Sequence, residues 1–381
     1  MRIALNLTTL APGRTGGMET YVRNLLAGYS RLDHENEIRV LVSQDIKDIV
    51  PQDDRRFSQC VTDAWLPWLI RKQKHLQVPW QWIASIRAAR RFQADIHHCP
   101  FNVPAPPWDA ITNTVITMHD VQFFTVPELR AAPELHYVRS FCRRGVQFAK
   151  IIITDSCYSK QAIVDFFQID PGRVVVIYPG FDEKVFRAES ITGQAKNALP
   201  VPGPYLFFPA ATWPHKNHLR LLEALALLRD RKGLKVDLLL TGFAMTSHTR
   251  VQDAVRRLRL ETQVNWLGWI TTEELVNVYR NAQALMFPSL HEGFGLPIVE
   301  AMACGCPVLC SNTTACGETA GNAALTFNPL YVEEIATQID TIWSDDSIRK
   351  QLAVKGLERS QQFTCERMAE ETLKAFASAI R

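Results

Sequence analysis

Four stretches carry residues whose types and spacing could do chemistry. The densest is Ala284–Asn312, ALMFPSLHEGFGLPIVEAMACGCPVLCSN, with Glu292 and Glu300 eight positions apart. Gly293 and Gly295 let the backbone come close to a ligand and take conformations a side chain would forbid. Pro297 suits a first helical turn, where its missing amide is no loss. The remaining free amides, with Phe294 and Leu296 in the same loop, and the helix dipole make that end an anion site. The stretch therefore proposes a phosphate plus two polar groups read by carboxylates. A second stretch, Ala211–Asn217 (ATWPHKN), holds His215 and Lys216 between a strand and a helix. A lysine at such a turn is well placed for a phosphate oxygen. The third is His119-Asp120, directly after ITNTVITM. A histidine ending a parallel strand can bond a substrate hydroxyl or an anionic oxygen, or it is a packed residue tied down by Asp120. Gly16-Gly17 near the start either lets a loop approach a phosphate or sugar, or makes a tight turn.

These residues need elements to hold them. Arg2–Leu7 reads as a strand, Leu10–Gly17 as a glycine loop and Met18–Ser30 as a helix, the opening of a Rossmann-type unit. The loop is not G-x-G-x-x-G, and no acid follows where a nicotinamide ribose would need one, which weakens a dehydrogenase reading. Further strands are expected at Ile38–Val42, Asp95–Cys99, Thr112–Met118, Ile151–Thr154 and Val174–Tyr178, with a long basic helix at Pro133–Lys150. In Thr154–Lys160 (TDSCYSK), Ser156 or Ser159 suits the N-cap of the next helix. In His97-His98-Cys99, alternation should bury one histidine and expose the other. Tyr178–Pro204 is rich in Pro and Gly and lacks periodicity, which marks a linker. Strands Tyr205–Phe208, Lys235–Thr241 and Gln263–Leu267 then alternate with helices Asn217–Arg229, Arg250–Arg259 and Thr272–Asn281, leading into Ala284–Asn312, which reads as a strand Ala284–Pro288, a loop Ser289–Leu296, a helix and a strand Pro307–Ser311. Strict alternation predicts a second parallel sheet. After Pro329 the chain reads as helical, and Thr364–Ile380 has apolar spacing at Met368, Leu373, Phe376 and Ile380 that needs a core to cover. The fold class is thus α/β, two Rossmann-like domains with parallel sheets. The expected division is an N-terminal domain at 1–182, a linker at 183–204, a nucleotide-sugar-binding domain at 205–359 and a terminal segment at 360–381.

The 381 residues allow two or three domains, and 47% hydrophobic with 21% charged residues is ordinary for a globular protein. A formal charge of +3 gives no argument for nucleic acid. No apolar run approaches the ~18 residues that span a bilayer. The start, MRIALNLTTLAPG, reads as a first strand rather than a signal peptide, so a cytoplasmic chain is expected. Residues 64–92 are peculiar: Arg71, Lys72, Lys74, Arg87, Arg90 and Arg91 lie among Trp65, Trp68, Trp80 and Trp82 without an acid. That mixture suits an anionic membrane surface, or a solvated helix whose tryptophans pack inward. Nine cysteines, an odd number, argue against a disulfide framework. Cys304, Cys306, Cys310 and Cys316 lack the paired spacing of a structural zinc site and are expected as buried thiols.

In full context, P-S-x-x-E-G-F-G-L-P-x-x-E-A-M-A-C-G-x-P-V resembles the signature of the GT4 family of retaining glycosyltransferases, which have the GT-B fold. The resemblance extends to GGMETYVRNL near the start, MHD at 118–120, SCYSK at 156–160, PHKN at 214–217 and NWLGWITTEELVNVYRNA before the signature. It implies two domains facing across a cleft, with the last helix returning to the N-terminal one. Glu300 would then hold the donor ribose, and Glu292 would lie by the donor sugar. The Gly293–Leu296 amides would reach sugar hydroxyls and phosphate. Lys216 would neutralise the diphosphate, Gly17 would approach the reacting centre, and His119 would contact the transferred sugar. Many relatives carry an arginine about five residues before the lysine. Ala211 stands there, so His215 is expected to supply part of the missing charge. The later Pro-Glu element is Gly317-Glu318 here. No D-x-D pair lies at a matching place, so neither metal nor cofactor is expected. The implied activity is retaining transfer of a hexose, with GDP-mannose favoured as donor, to a saccharide or lipid-linked saccharide. A GT-B-shaped sugar-nucleotide epimerase and a non-catalytic sugar-nucleotide-binding protein are the alternatives.

Overall fold

Ile3, Ala4 and Leu5 are apolar in succession and each is fully buried, as in a parallel strand covered on both faces. The computed structural model describes residues 1–10, 16–44, 46, 49–51, 53–62, 74–101, 113–126, 135–188 and 203–381. These fall into two units, Met1–Gly180 with Thr364–Arg381, and Phe181–Phe363.

The first unit holds a seven-stranded sheet in the order β3-β2-β1-β4-β5-β6-β7. Its strands are β1 (Arg2–Asn6), β2 (Glu37–Val42), β3 (Phe57–Val61), β4 (Ile96–Cys99), β5 (Thr114–Thr117), β6 (Ile151–Thr154) and β7 (Val174–Val176). Every pairing is parallel, with Leu5 opposite Val40 on one side and His98 on the other. Strand order reverses between β1 and β4, the switch point where open sheets leave a crevice at their carboxyl ends.

The second unit repeats the arrangement with β8 (Tyr205–Pro209), β9 (Asp237–Thr241), β10 (Val264–Trp266), β11 (Ala284–Phe287), β12 (Val308–Ser311) and β13 (Ala324–Phe327). Its order is β10-β9-β8-β11-β12-β13, all parallel, so the switch point lies between β8 and β11. Lys216 and Glu292 are in the loops that follow these two strands.

The helix Cys365–Ile380 packs on the helix Gly17–Arg31 of the first unit. Met368 and Phe376 share a buried core with Leu5, Tyr21 and Leu25, while Ile380, expected on the same stripe, is exposed. Gly28 is required at this crossing, because a Cβ there would overlap the Cys365 carbonyl oxygen. Residues 183–188, expected as linker, are held by the second unit. Phe186 is buried beside Tyr279, and the Arg187 carbonyl accepts from Arg280 Nε at 2.8 Å. The rest of that expected linker, residues 189–202, lies outside the described residues.

Two strands were not expected, β3 and β13. Both are sheet edges, with one partner each and half-exposed residues, so neither has the continuous apolar run of a central strand. His97 and His98 are both buried, contrary to the alternation, because β4 is covered on both faces. Cys304, Cys306, Cys310 and Cys316 are buried free thiols. The membrane-surface reading rests largely on Trp65, Trp68, Arg71 and Lys72, which lie outside the described residues. In the helix Lys74–Arg91, Ala84, Ile86 and Ala89 are buried while Arg87, Arg90 and Arg91 are exposed. Among the described residues, no helix is long and apolar enough to cross a membrane.

Candidate active site

In the second unit the β8 loop ends in a single 3-10 turn, Pro214–Lys216, before the helix His218–Lys232. Asn217 closes the turn in the left-handed region, at φ 63°. Its buried amide donates to the Pro288 carbonyl at 3.1 Å and to the Pro329 carbonyl at 2.8 Å. The Leu290 amide donates back to the His215 carbonyl at 2.7 Å. The loops after β8 and β11 are thus stitched together, so Lys216 and Glu292 stand on fixed supports. Lys216 Nζ lies 2.5 Å from Glu292 Oε1 and 5.5 Å from the Phe287 ring centroid.

Burial alone would push the Glu292 carboxyl up. Attraction to Lys216 and its hydrogen bond outweigh that and leave Glu292 below the usual carboxylate range. The pair is an ionised carboxylate on an ammonium. His215 behaves otherwise: burial, and then the charge of Lys216, lower it to about 4. It is neutral at pH 7 and adds no positive charge to this free site, contrary to expectation. It can still offer one ring N–H.

Gly295 precedes the helix Leu296–Ala303 at φ 97°, where a side chain would be strained, and Pro297 lies in the first turn. No side chain caps this helix, so the positive end of its dipole suits an outside acceptor. Phe294 turns its ring into the core against Phe363, at 5.3 Å between centroids, and its carbonyl accepts from Thr319 Oγ1 at 2.7 Å. Glu300, one turn into the helix, is 8% exposed and receives the Tyr279 hydroxyl at 3.2 Å. Burial raises its carboxyl to about 7, and the Tyr279 bond opposes that rise. Lys216 and Glu292 are therefore brought into contact, whereas Glu300 engages Tyr279. The Glu318 carbonyl accepts from Arg359 at 2.8 Å.

In the first unit Gly16 precedes the helix Gly17–Arg31 at φ 49° and ψ −120°, a turn that favours glycine. Gly17 has ordinary helical geometry, and a Cβ there would meet nothing within 4 Å among the described residues.

His119 Nδ1 lies 2.7 Å from Asp155 Oδ2 and Nε2 lies 3.2 Å from the Pro100 carbonyl oxygen. Both partners only accept, so satisfying both needs an N–H at each position, the imidazolium. Burial works against that charge, but Asp155, by attraction and by its hydrogen bond, more than reverses the effect and raises His119 above its ordinary value. The contacting counter-ion is Asp155, and the neighbouring Asp120 of the sequence reading adds a weaker attraction. Tyr21 packs edge-on against the His119 ring at 4.7 Å, and its hydroxyl reaches Thr117 Oγ1 at 3.4 Å. His98 Nε2 completes the network at 2.9 Å from the same Thr117 oxygen, and burial holds His98 down at about 3.

Asp155, Tyr279 and Thr314 were not singled out by sequence. Asp155 had a signal, since it sits in TDSCYSK at a strand end, where only a Ser156 or Ser159 cap was read; of the two, Ser156 caps that helix by accepting from the Ser159 amide. Tyr279 is indistinguishable by pattern from a core residue. Thr314, whose Oγ1 accepts from the Glu292 amide at 3.2 Å, had no signal at all.

Two family models cover most of the chain. The one described as Glycosyltransferase Family 4 matches residues 15–185, and Glycosyl transferases group 1 matches residues 191–359. Among curated proteins, the O-antigen chain mannosyltransferase B of Escherichia coli is 29% identical over 92% of this chain and 96% of its own length. Among solved structures, sucrose-phosphate synthase from Thermosynechococcus elongatus superposes with a TM-score of 0.81 at 20% identity, over 99% of this chain and 98% of that one. HepE of Anabaena, solved in complex with UDP and glucose, gives a TM-score of 0.75 at 19% identity, over 99% and 100%. Both halves of the sequence, the doubled Rossmann order and these likenesses agree: the chain is an enzyme of the GT4 glycosyltransferases, with the GT-B fold.

Proposed function

We propose that this glycosyltransferase moves a mannosyl unit from GDP-mannose, with retention, to a hydroxyl of a saccharide or lipid-linked saccharide in surface polysaccharide synthesis. The observation that carries the reading is the Lys216–Glu292 pair at the β8/β11 switch point, beside an uncapped helix start. An ammonium and free amides suit a diphosphate leaving group, and an ionised carboxylate suits sugar hydroxyls. The mannosyl assignment draws support from the O-antigen mannosyltransferase of Escherichia coli, and a nucleotide-sugar donor from HepE with UDP and glucose.

On this reading the diphosphate takes Lys216, and Glu292 turns to the donor sugar. The bond from the anomeric carbon to the phosphate oxygen breaks, and the acceptor oxygen bonds to that carbon on the same face. The acceptor proton passes to the leaving phosphate oxygen, so no protein base is required. Lys216 and the N-terminal end of the Leu296–Ala303 helix stabilise the charge that develops on the diphosphate. Glu300 anchors the ribose. Gly17 and His119 serve the transferred sugar, and a hydroxyl would reach His119 Nε2 by replacing the Pro100 carbonyl. The scheme uses no metal, so EDTA should leave turnover unchanged; a sharp loss restored by manganese would contradict it. A lipid-linked acceptor would bring the chain to the cytoplasmic membrane face, where the basic, Trp-rich residues 64–92 suit anionic lipid.

The test is a melting-temperature screen against GDP-mannose, UDP-glucose and dTDP-glucose, followed by NMR of the product anomer. A ligand at about 100 times its Kd adds ~2.7 kcal/mol of stability. A selective shift with GDP-mannose and an α-linked product are expected. A shift confined to another sugar nucleotide refutes the donor, and a β-linked product refutes retention.

A further inference from the structure

Thr314 leads from β12 into the short helix Ala315–Ala320 with φ 54° and ψ −141°. Gln168 and Asn217 also have positive φ, but with ψ of 49° and 32° they rest in the ordinary left-handed well. Thr314 does not, and its branched Cβ makes such a backbone strained where glycine would be at ease. A side chain kept against that strain needs a use. Its hydroxyl accepts the Glu292 amide at 3.2 Å, across the gap between the β11 and β12 loops. The same hydroxyl lies against the buried Cys316 thiol. The Glu292 carboxylate, on the residue whose amide is held, meets Lys216 at 2.5 Å.

We propose that Thr314 is a positioning residue, whose hydroxyl fixes the Glu292 backbone so that the carboxylate is aligned for the donor sugar and for Lys216. The part played by the donor rests on the function proposed above; the backbone restraint does not. The strain is localised where it sets the angle of one hydroxyl, and the β12 loop thereby shapes the catalytic end of β11.

The experiment compares Thr314→Ser, Thr314→Ala and Thr314→Gly. In the ligand-free protein, hydrogen exchange at the Glu292 amide should speed up in the Ala and Gly variants and stay slow in the Ser variant. Calorimetry with GDP and with GDP-mannose then reads the consequence. Losing one such bond should weaken GDP-mannose by roughly three- to tenfold in the Ala and Gly variants. GDP, which lacks the sugar, should lose no affinity in any of the variants, because a loosened Glu292 leaves Lys216 to the diphosphate. The Gly variant should melt no lower than the Ala variant, although glycine ordinarily costs more on folding, because it sheds the strain. Unchanged exchange at Glu292 in the Ala and Gly variants would overturn the proposal, whatever the donor. So would a Ser variant as impaired as Ala, which would assign the effect to the lost methyl. If GDP-mannose binds none of the four while exchange behaves as expected, the donor reading fails and the positioning role stands.

Discussion

Replacing Lys216 with Met removes one charge and keeps most of the side-chain volume. Nζ sits 2.5 Å from Glu292 Oε1, and the two side chains are 19% and 13% exposed, so water screens the pair only partly. If Lys216 steadies the departing diphosphate, turnover should fall ~100- to 1000-fold, the scale for losing one such stabiliser. The partner left behind supplies a second signature. Without Lys216 the burial of Glu292 is no longer outweighed, so its carboxyl should move from below the 4.5 of a free glutamate to above it. In the wild type a depressed value stabilises the fold above pH 4.5, and that contribution fades as pH falls through the folded value. In the variant the sign reverses, and stability declines as pH rises past 4.5. The gap in unfolding free energy should therefore widen from pH 4.5 to pH 7, reaching roughly 1–3 kcal/mol after discounting for exposure. Nucleoside diphosphate release and urea unfolding at several pH values measure both. A folded variant within about tenfold of wild-type turnover would refute the catalytic role. A stability gap that does not change with pH would refute the electrostatic account of the pair.

Glu292→Gln should release Lys216 from its ion pair, so GDP should bind more tightly while GDP-mannose turnover falls; calorimetry and product assays would show both, and weaker GDP binding would argue that Glu292 organises the phosphate site. Glu300 should make nucleotide affinity pH-dependent, since ribose hydroxyls donate to the ionised carboxylate. Below its value of about 7, GDP binding should weaken by up to about tenfold per pH unit, and Glu300→Gln should flatten that slope. The same raised value should cost about 3 kcal/mol of stability between pH 4.5 and 7, falling as pH rises, and Tyr279→Phe should extend the loss to higher pH. Asp155→Asn removes the counter-charge of His119, whose raised value stabilises the fold fully below 6.5 and ceases to do so as pH rises through the folded value. NMR titration of the imidazole should then show a value below 6.5, and the loss in melting temperature should be larger at pH 6 than at pH 9.

What could be read from the sequence was what short-range pattern controls. Apolar runs such as Ala284–Phe287 and Ile151–Thr154 declare central parallel strands because both their faces must be covered. Strict alternation with helices gave the doubled sheet, and glycine with proline marked the start of the Leu296–Ala303 helix. Edge strands such as Phe57–Val61, with mixed faces, carry no such mark. The site divides the same way. Lys216 and Glu292 stand out as charged residues at strand ends, but their contact spans 76 positions and depends on loops tied by Asn217 and Leu290. The sign of His215 was misread because charge at an imidazole depends on burial and on a neighbouring ammonium, which no spacing reveals. Asp155 was passed over for a related reason: its partner is 36 residues away on another strand end.

The crossing of Gly28 and Cys365 bears on how the molecule is made. The first sheet is finished by Val176, yet Met368 and Phe376, which fill its core, are translated only after the entire Phe181–Phe363 unit. At typical elongation rates that is a wait on the order of ten seconds or more. During that time the groove beside the Gly17–Arg31 helix carries apolar surface with no cover, open to chaperones and to neighbouring nascent chains. A stalled ribosome or a late frameshift would thus disable the earlier-made unit first, and soluble yield should respond more sharply to changes at residues 365–376 than to changes of equal size in the β13 edge.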